Sequence, residues 1–294
     1  MVNQSLGDKL FGWVVYALLA LICVIVLYPL IFVLVASFSS PGAVMRGEVW
    51  LWPKDMTWIG YKKIFQNAEI LTGYANTLLY TVIGTAINLL LSIAAAYPLS
   101  RKDLYGRNVI SGMMVLTMFF SGGMVPTYLL IKDLGMLNSM WALILPGAIS
   151  VYNVLIMRTF FQNGIPQEMQ EAAAMDGCSN IGTLVRIVLP LSMPIIAVMI
   201  LFYSVGHWNA YFSALMYLTD REKYPLQLIL REILIQEQMQ EMQGVGDNVL
   251  AETVMQSEAI KYAVVIVANL PVLLLYPFLQ KYFAKGVMIG AVKG

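Results

Sequence analysis

Apolar residues in this chain fall in long blocks rather than at amphipathic spacing. Six blocks reach the roughly 20 mostly apolar residues that a spanning helix needs: 12–36, 74–97, 108–131, 139–161, 191–218 and 262–280. The pattern predicts an all-α membrane protein, six transmembrane helices folded as a single transmembrane domain over residues 1–294. Pro29, Pro126, Pro146 and Pro271 fall inside or near the ends of these blocks. Such prolines are tolerated where neighbouring helices satisfy the freed backbone groups. The second block carries Gly84, Ala86, Ala94, Ala95 and Ala96, small residues that permit close helix approach. In the third, Gly122 and Gly123 read as packing residues or as a kink.

The polar connections differ in character. Loop 37–73 carries Trp50, Trp52, Trp58 and Tyr61, with a short helix expected at 59–65. Loop 98–107 is short and basic, with Arg101, Lys102 and Arg107 against Asp103, and 132–138 is a tight turn. Loop 219–261 is long. Within it 225–243 is expected to be helical, with Leu226, Ile229, Leu230, Ile233 and Leu234 on one face and Gly244 and Gly246 closing it. The segment 162–190 is too polar for lipid, yet apolar blocks flank it. Pro166 suits the start of a helix, Glu168 and Glu171 favour its N-terminal dipole, and Ala172, Ala173 and Ala174 are the best helix formers. Gly177 then predicts a left-handed cap, followed by a second short helix running into Pro190. On this pattern the segment is a docking helix for a partner or a plain loop.

Composition supports the membrane reading. The chain is 59% hydrophobic and 12% charged, against roughly 45–50% and 25% in soluble domains. Its net charge of +1 implies no nucleic-acid partner. Cys23 and Cys178 are too far apart in sequence for a disulfide framework or metal site and read as free thiols. Ile22 before Cys23 disfavours a lipoprotein anchor, and the first block is too long for a signal peptide's core, so it is expected to be retained. Basic residues in the short loops predict both termini, 98–107 and 162–190 on the cytoplasmic side, with 37–73 and 219–261 outside.

Missing chemistry narrows the function classes. There is no phosphate-binding loop and no H-E-x-x-H pair, and His207 is the sole histidine. The six blocks contain no Asp or Glu, which argues against a proton- or sodium-coupled carrier and against a membrane enzyme. A structural membrane subunit without a pathway is a further alternative. The polar side chains in the blocks, Asn88 and Asn153 among them, are neutral, which suits hydroxyl-rich cargo or simply glues helices together. His207, Trp208 and Asn209 are the densest such cluster: Trp208 reads equally as a sugar-stacking face or as helix packing.

Glu171, Ala172, Ala173, Gly177, Ile187, Leu189 and Pro190 match the E-A-A-x-x-x-G-x9-I-x-L-P signature, and Asp176 fits it. The chain thereby resembles the permease subunits of ABC importers. Val125-Pro126-Thr127-Tyr128, 134–139, Trp208-Asn209 and the terminal Lys281-Tyr282-Phe283 resemble the carbohydrate branch of the maltose-permease type. The tail and 120–124 are most similar to permeases for complex plant polysaccharides such as pectic oligosaccharides. The resemblance covers most of 74–294. Cys178 and Leu184 depart from it, where Ala and an aromatic are common.

The resemblance implies a type I ABC importer permease fold in the bacterial cell membrane, and no enzyme. It implies a second homologous permease as heterodimer partner, two ABC ATPase subunits that bind ATP and Mg, and an extracytoplasmic sugar-binding protein delivering oligosaccharide. This chain itself would hold no cofactor and no metal. The residues of the signature would couple it to the ATPase, with Glu171 in contact and the alanines allowing close approach. His207, Trp208, Asn209, Asn153 and Asn88 would line the substrate path, although in the maltose type the partner permease holds the sugar. The loop 219–261, with Gln240, Gln243, Gly244, Asp247 and Asn248, would reach the binding protein.

Overall fold

The computed structural model describes residues 6–243, 260–275, 277 and 280. Among these the regular structure is helical throughout, without a strand. In chain order come α1 (Leu6–Ser37), α2 (Pro41–Met45), α3 (Ile59–Gln66), α4 (Ala68–Ser100), α5 (Arg107–Phe119) and α6 (Met124–Asp133). Then follow α7 (Met140–Ile144), α8 (Val151–Gly164), α9 (Gln167–Met175), α10 (Asn180–Thr183), α11 (Leu189–Leu191) and α12 (Met193–Trp208). The last are α13 (Phe212–Tyr217), α14 (Leu226–Gln243) and α15 (Ile260–Leu275). The expected helices at 59–65 and 225–243 are α3 and α14. Gly244, Asp247, Asn248 and the tail from Lys281 lie outside the described residues.

The chain divides into two compact units, residues 1–68 with 230–269 and residues 69–229 with 270–294. In the first, α1 exposes Leu10, Trp13, Leu18, Ile22 and Leu30 among many other apolar side chains. So much apolar surface marks a face buried in lipid or against another protein. Where α1 ends, Val35 packs with Ala43 and Val49. Ser40 caps α2 by accepting from the Ala43 N–H, and Pro41 occupies the first turn. Phe38 stacks on Tyr61 and meets Trp58 edge-on, both with centroids 5.1 Å apart. Glu48 is held between Arg46 (2.6 Å) and Lys54 (2.7 Å), which lower its pKa to about 2.

The second unit is built against α4, whose sides reverse the soluble pattern. Gly73, Thr77, Thr81, Gly84, Asn88, Ser92 and Ala96 are buried at helical spacing, while Leu78, Leu79, Val82 and Leu90 are exposed. Polar and small residues inside, with apolar residues outside, is the arrangement a bilayer favours. Its far end joins a core of Ala96, Tyr97 and Leu99 with Val154, Met157, Phe161 and Met199.

Only α1 and α4, among the described residues, are single helices long and apolar enough to cross a membrane. Three of the expected spans are not straight helices. The third breaks by 109° between α5 and α6, where Gly123 adopts φ +86°, so the glycine pair is a kink and not only a packing feature. The fourth bends by 51° around a 3-10 turn at Leu145–Gly147, which contains Pro146. The fifth, expected over 191–218, stops at Trp208 and resumes as α13 at Phe212. The 83° bend between Asn180–Leu191 and Met193–Trp208, across the buried Ser192, falls at its start, where the short helix expected to run into Pro190 meets it. Hydropathy reads burial in lipid and is blind to these backbone breaks.

Candidate functional site

The polar segment folds as expected, as two short helices around a turn. Pro166 is the N-cap of α9, one position earlier than the helix start expected of it, and Glu168 lies in the first turn. Gly177 adopts φ +74°, which lets its N–H reach the Ala174 carbonyl (3.1 Å) and the Cys178 N–H reach that of Ala173 (2.9 Å). Those two bonds form a Schellman motif, which satisfies the last carbonyls and stops the helix sharply. Ala173 faces inward and is buried, while Glu168, Glu171, Ala172, Met175 and Asp176 are exposed. Met175 is 89% exposed, an apolar side chain offered to solvent on a helix that ends there.

Beyond the turn, Ser179 caps α10 by accepting from the Gly182 N–H. Pro190 has no N–H for the i−4 carbonyl, and over Leu184–Val188 the ladder widens to a π-turn, closed by Leu189 N–H to Leu184 O. Ile187 and Leu189 are half-buried there and Pro190 is exposed.

One wall of a cavity of about 530 Å3 is α9, through Gln167, Gln170 and Glu171. The facing wall is Ser100, Arg101, Lys102 and Arg107. Glu171 accepts from Gln167 Nε2 (2.7 Å) on the exposed side. Arg101 forks onto Asp103 with two 2.8 Å bonds, which holds the Asp103 carboxyl below its ordinary value and raises the guanidinium. Arg158, on α8, donates to the Leu99 carbonyl (3.1 Å) and to Ser111 Oγ (3.0 Å), tying α8 to α4 and α5. The basic residues of 98–107 thus belong to the site together with the signature residue Glu171 of α9. Their signal was the cluster of cations between two apolar blocks.

A second polar group lies within the apolar helices. Asn88 donates from Nδ2 to the Gly147 carbonyl at the α7–α8 bend (2.8 Å), and its Oδ1 lies 2.8 Å from His207 Nε2. A carbonyl only accepts, so the amide orientation is set and Nε2 of His207 carries a proton. Gly84 makes room for the ring: a Cβ there would stand 2.5 Å from His207 Nε2. Trp208 is buried and meets Tyr74 edge-on at 5.6 Å. Asn209 turns back to the Val205 carbonyl (2.9 Å), and Asn153 is buried at the start of α8, where its N–H donates to Ser150 Oγ. Of the five expected pathway residues, Asn88 and His207 are thus joined directly. Gln240 and Gln243 lie on the last turns of α14.

Residues 1–289 match the family described as binding-protein-dependent transport system inner membrane component. The chain belongs to this family. It is therefore a membrane component of a transport system, not an enzyme, and membership implies ATPase and substrate-binding-protein partners. The permease is 44% identical over 287 residues to the polygalacturonan/rhamnogalacturonan transport system permease protein YtcP of Bacillus subtilis (strain 168), across 98% of this chain and 99% of that one. It is 42% identical to protein LplC of the same organism over 270 residues, 92% and 90% of the two chains. A crystal structure of a bacterial ABC transporter involved in the import of the acidic polysaccharide alginate superposes with a TM-score of 0.85. That match has 32% sequence identity and covers 96% of the permease and 100% of the other chain. The permease accordingly has the type I ABC importer permease fold.

Proposed function

We propose that this permease forms half of the membrane pathway of an ATP-driven importer of acidic oligosaccharides. In this reading α9 receives the motion of an ATPase subunit. The observation that carries it is α9 itself: a short helix with exposed Glu171 and Met175, stopped by Gly177 and backed by buried Ala173. It belongs to a chain without a phosphate-binding loop of its own. The signature residues Glu171, Ala172, Ala173, Asp176, Gly177, Ile187, Leu189 and Pro190 form the contact and the turn behind it. ATP and Mg are bound by the two ATPase partners. A second permease completes the pathway, and the chain is one domain of six spans with both termini in the cytoplasm.

Acidic cargo is favoured by two relatives, one named for polygalacturonan and one for alginate import. The apolar blocks contain no carboxylate that would repel a uronate. Asn88, Asn153, His207, Trp208 and Asn209 belong to the lining or its support, and the loop that includes α14 meets the binding protein. The test is uptake by the assembled importer in proteoliposomes supplied with trigalacturonate or maltotriose. ATP-dependent uptake of trigalacturonate, abolished by Glu171→Lys, is expected. Uptake of maltotriose alone would overturn the substrate class, and undiminished uptake by Glu171→Lys the coupling role.

A further inference from the structure

The base of α14 rests on a seat made by α4. Helix α14 begins at Leu226, directly after Pro225, which offers no side-chain acceptor for the orphan N–H groups of the first turn. The Leu226 N–H is instead taken by Thr77 Oγ1 of α4 at 2.8 Å, with Thr77 1% and Leu226 0% exposed. One turn away, Gly73 lets the backbones approach. A Cβ there would stand 2.5 Å from Ile229 Cδ1 and 3.3 Å from Leu226 Cα.

The strand of chain leading into α14 is pinned by the same helix. Asn76 Nδ2 donates to the carbonyls of Glu222 (2.7 Å) and Tyr224 (3.1 Å), and Tyr80 Oη donates to that of Lys223 (2.9 Å). Three successive carbonyls are thus held by two side chains of α4. Arg221 forks onto Glu69 at the helix's first turn (2.7 and 3.0 Å). From the other side Asn138, at φ +57°, accepts the Thr219 and Asp220 N–H groups on its Oδ1 (3.1 and 3.0 Å). At its other end the same helix α4 reaches Ser100, which lines the cavity beside α9.

We infer that Thr77, with Gly73 and Asn76, is a positioning site that seats the base of α14 for engagement of the binding protein. The inference rests on the reading of loop 219–261 as the binding-protein contact. None of these residues touches substrate; they act through α14.

The experiment uses the assembled importer in nanodiscs with its binding protein loaded from a polygalacturonan digest. Thr77→Val keeps the shape and removes the acceptor. It is expected to speed amide exchange at 226–229 and to raise the half-saturating binding-protein concentration about tenfold. The maximal ATPase rate moves less than twofold, and Thr77→Ser restores both readouts. Asn76→Ala, at a half-buried position, is expected to give about a threefold rise. Exchange at 226–229 as slow in Thr77→Val as in the wild type overturns the seat. Faster exchange with an unchanged half-saturation overturns its role in engagement. Replacement of 240–248 by a Gly-Ser linker with no change in half-saturation overturns the loop reading instead, and leaves the exchange result to stand for the seat alone.

Discussion

Gly177 offers a graded test of the coupling helix. Its φ of +74° belongs to the left-handed region, where an L-residue pays roughly 1–2 kcal/mol. A Cβ added at this position meets nothing within 4 Å, so the cost of a side chain is conformational and not steric. One to two kcal/mol shifts a local equilibrium by a factor of about 5–30. The shifted equilibrium is that between the closed Schellman turn and an unravelled end, since the Gly177 and Cys178 N–H bonds both depend on this conformation. Asn tolerates the left-handed region and should cost least, Ala more, and β-branched Val most. The expected order of uptake in proteoliposomes is therefore wild type, Gly177→Asn, Gly177→Ala, Gly177→Val. Amide exchange at Gly177 and Cys178 should accelerate in the same order. Because the site is exposed, the thermal midpoint of the assembled complex should hardly move. Uptake by Gly177→Val equal to the wild type, or by Gly177→Asn below Gly177→Val, would refute the reasoning.

Four further outcomes follow from the geometry. Gly84→Ala forces a Cβ to within 2.5 Å of the His207 ring and should cost about 1–3 kcal/mol, read as a lower thermal midpoint in detergent. Asn88→Leu strands the Gly147 carbonyl and the His207 N–H together, for a loss of about 1–3 kcal/mol per orphaned group; an unchanged midpoint would show that other partners replace Asn88. Arg101 lowers the Asp103 pKa, so the ion pair is fully present above the ordinary carboxylate pKa and is lost only as pH falls through the lowered value; a carboxyl NMR midpoint at or above about 3.9 would contradict this. Glu48, held to about 2 by Arg46 and Lys54, should likewise stay ionised at pH 4, and Lys54→Ala should raise its midpoint.

The chemistry of the coupling segment was legible in the sequence because it is local. A proline, a run of alanines and a glycine cap settle a short helix through neighbouring residues alone, and α9 with its cap at Gly177 is what they predict. The same holds for α3 and α14, whose patterns repeat over adjacent turns of one helix. Length and hydropathy also determined that the long helices carry apolar side chains outward, as the exposed Leu78, Leu79 and Leu90 of α4 do.

What joins distant parts of the chain was decided only by the tertiary structure. Asn88 and His207 are 119 residues apart, and nothing in either block marks them as partners. Gly84 reads as a small residue in an apolar run until the ring it accommodates is in place. Thr77 reads as helix glue until the first N–H of α14 arrives on its hydroxyl. A kink at Gly122-Gly123 was one reading of the sequence, but the 109° turn there and the bend around Leu145–Gly147 were decided by the fold, because a hydropathy block records transfer into lipid and not the direction of the backbone. For the polar segment between the fourth and fifth blocks, the sequence determined a helix and a stop. The fold decided what faces it: the basic loop from Ser100 to Arg107, across a cavity that neither segment encloses alone.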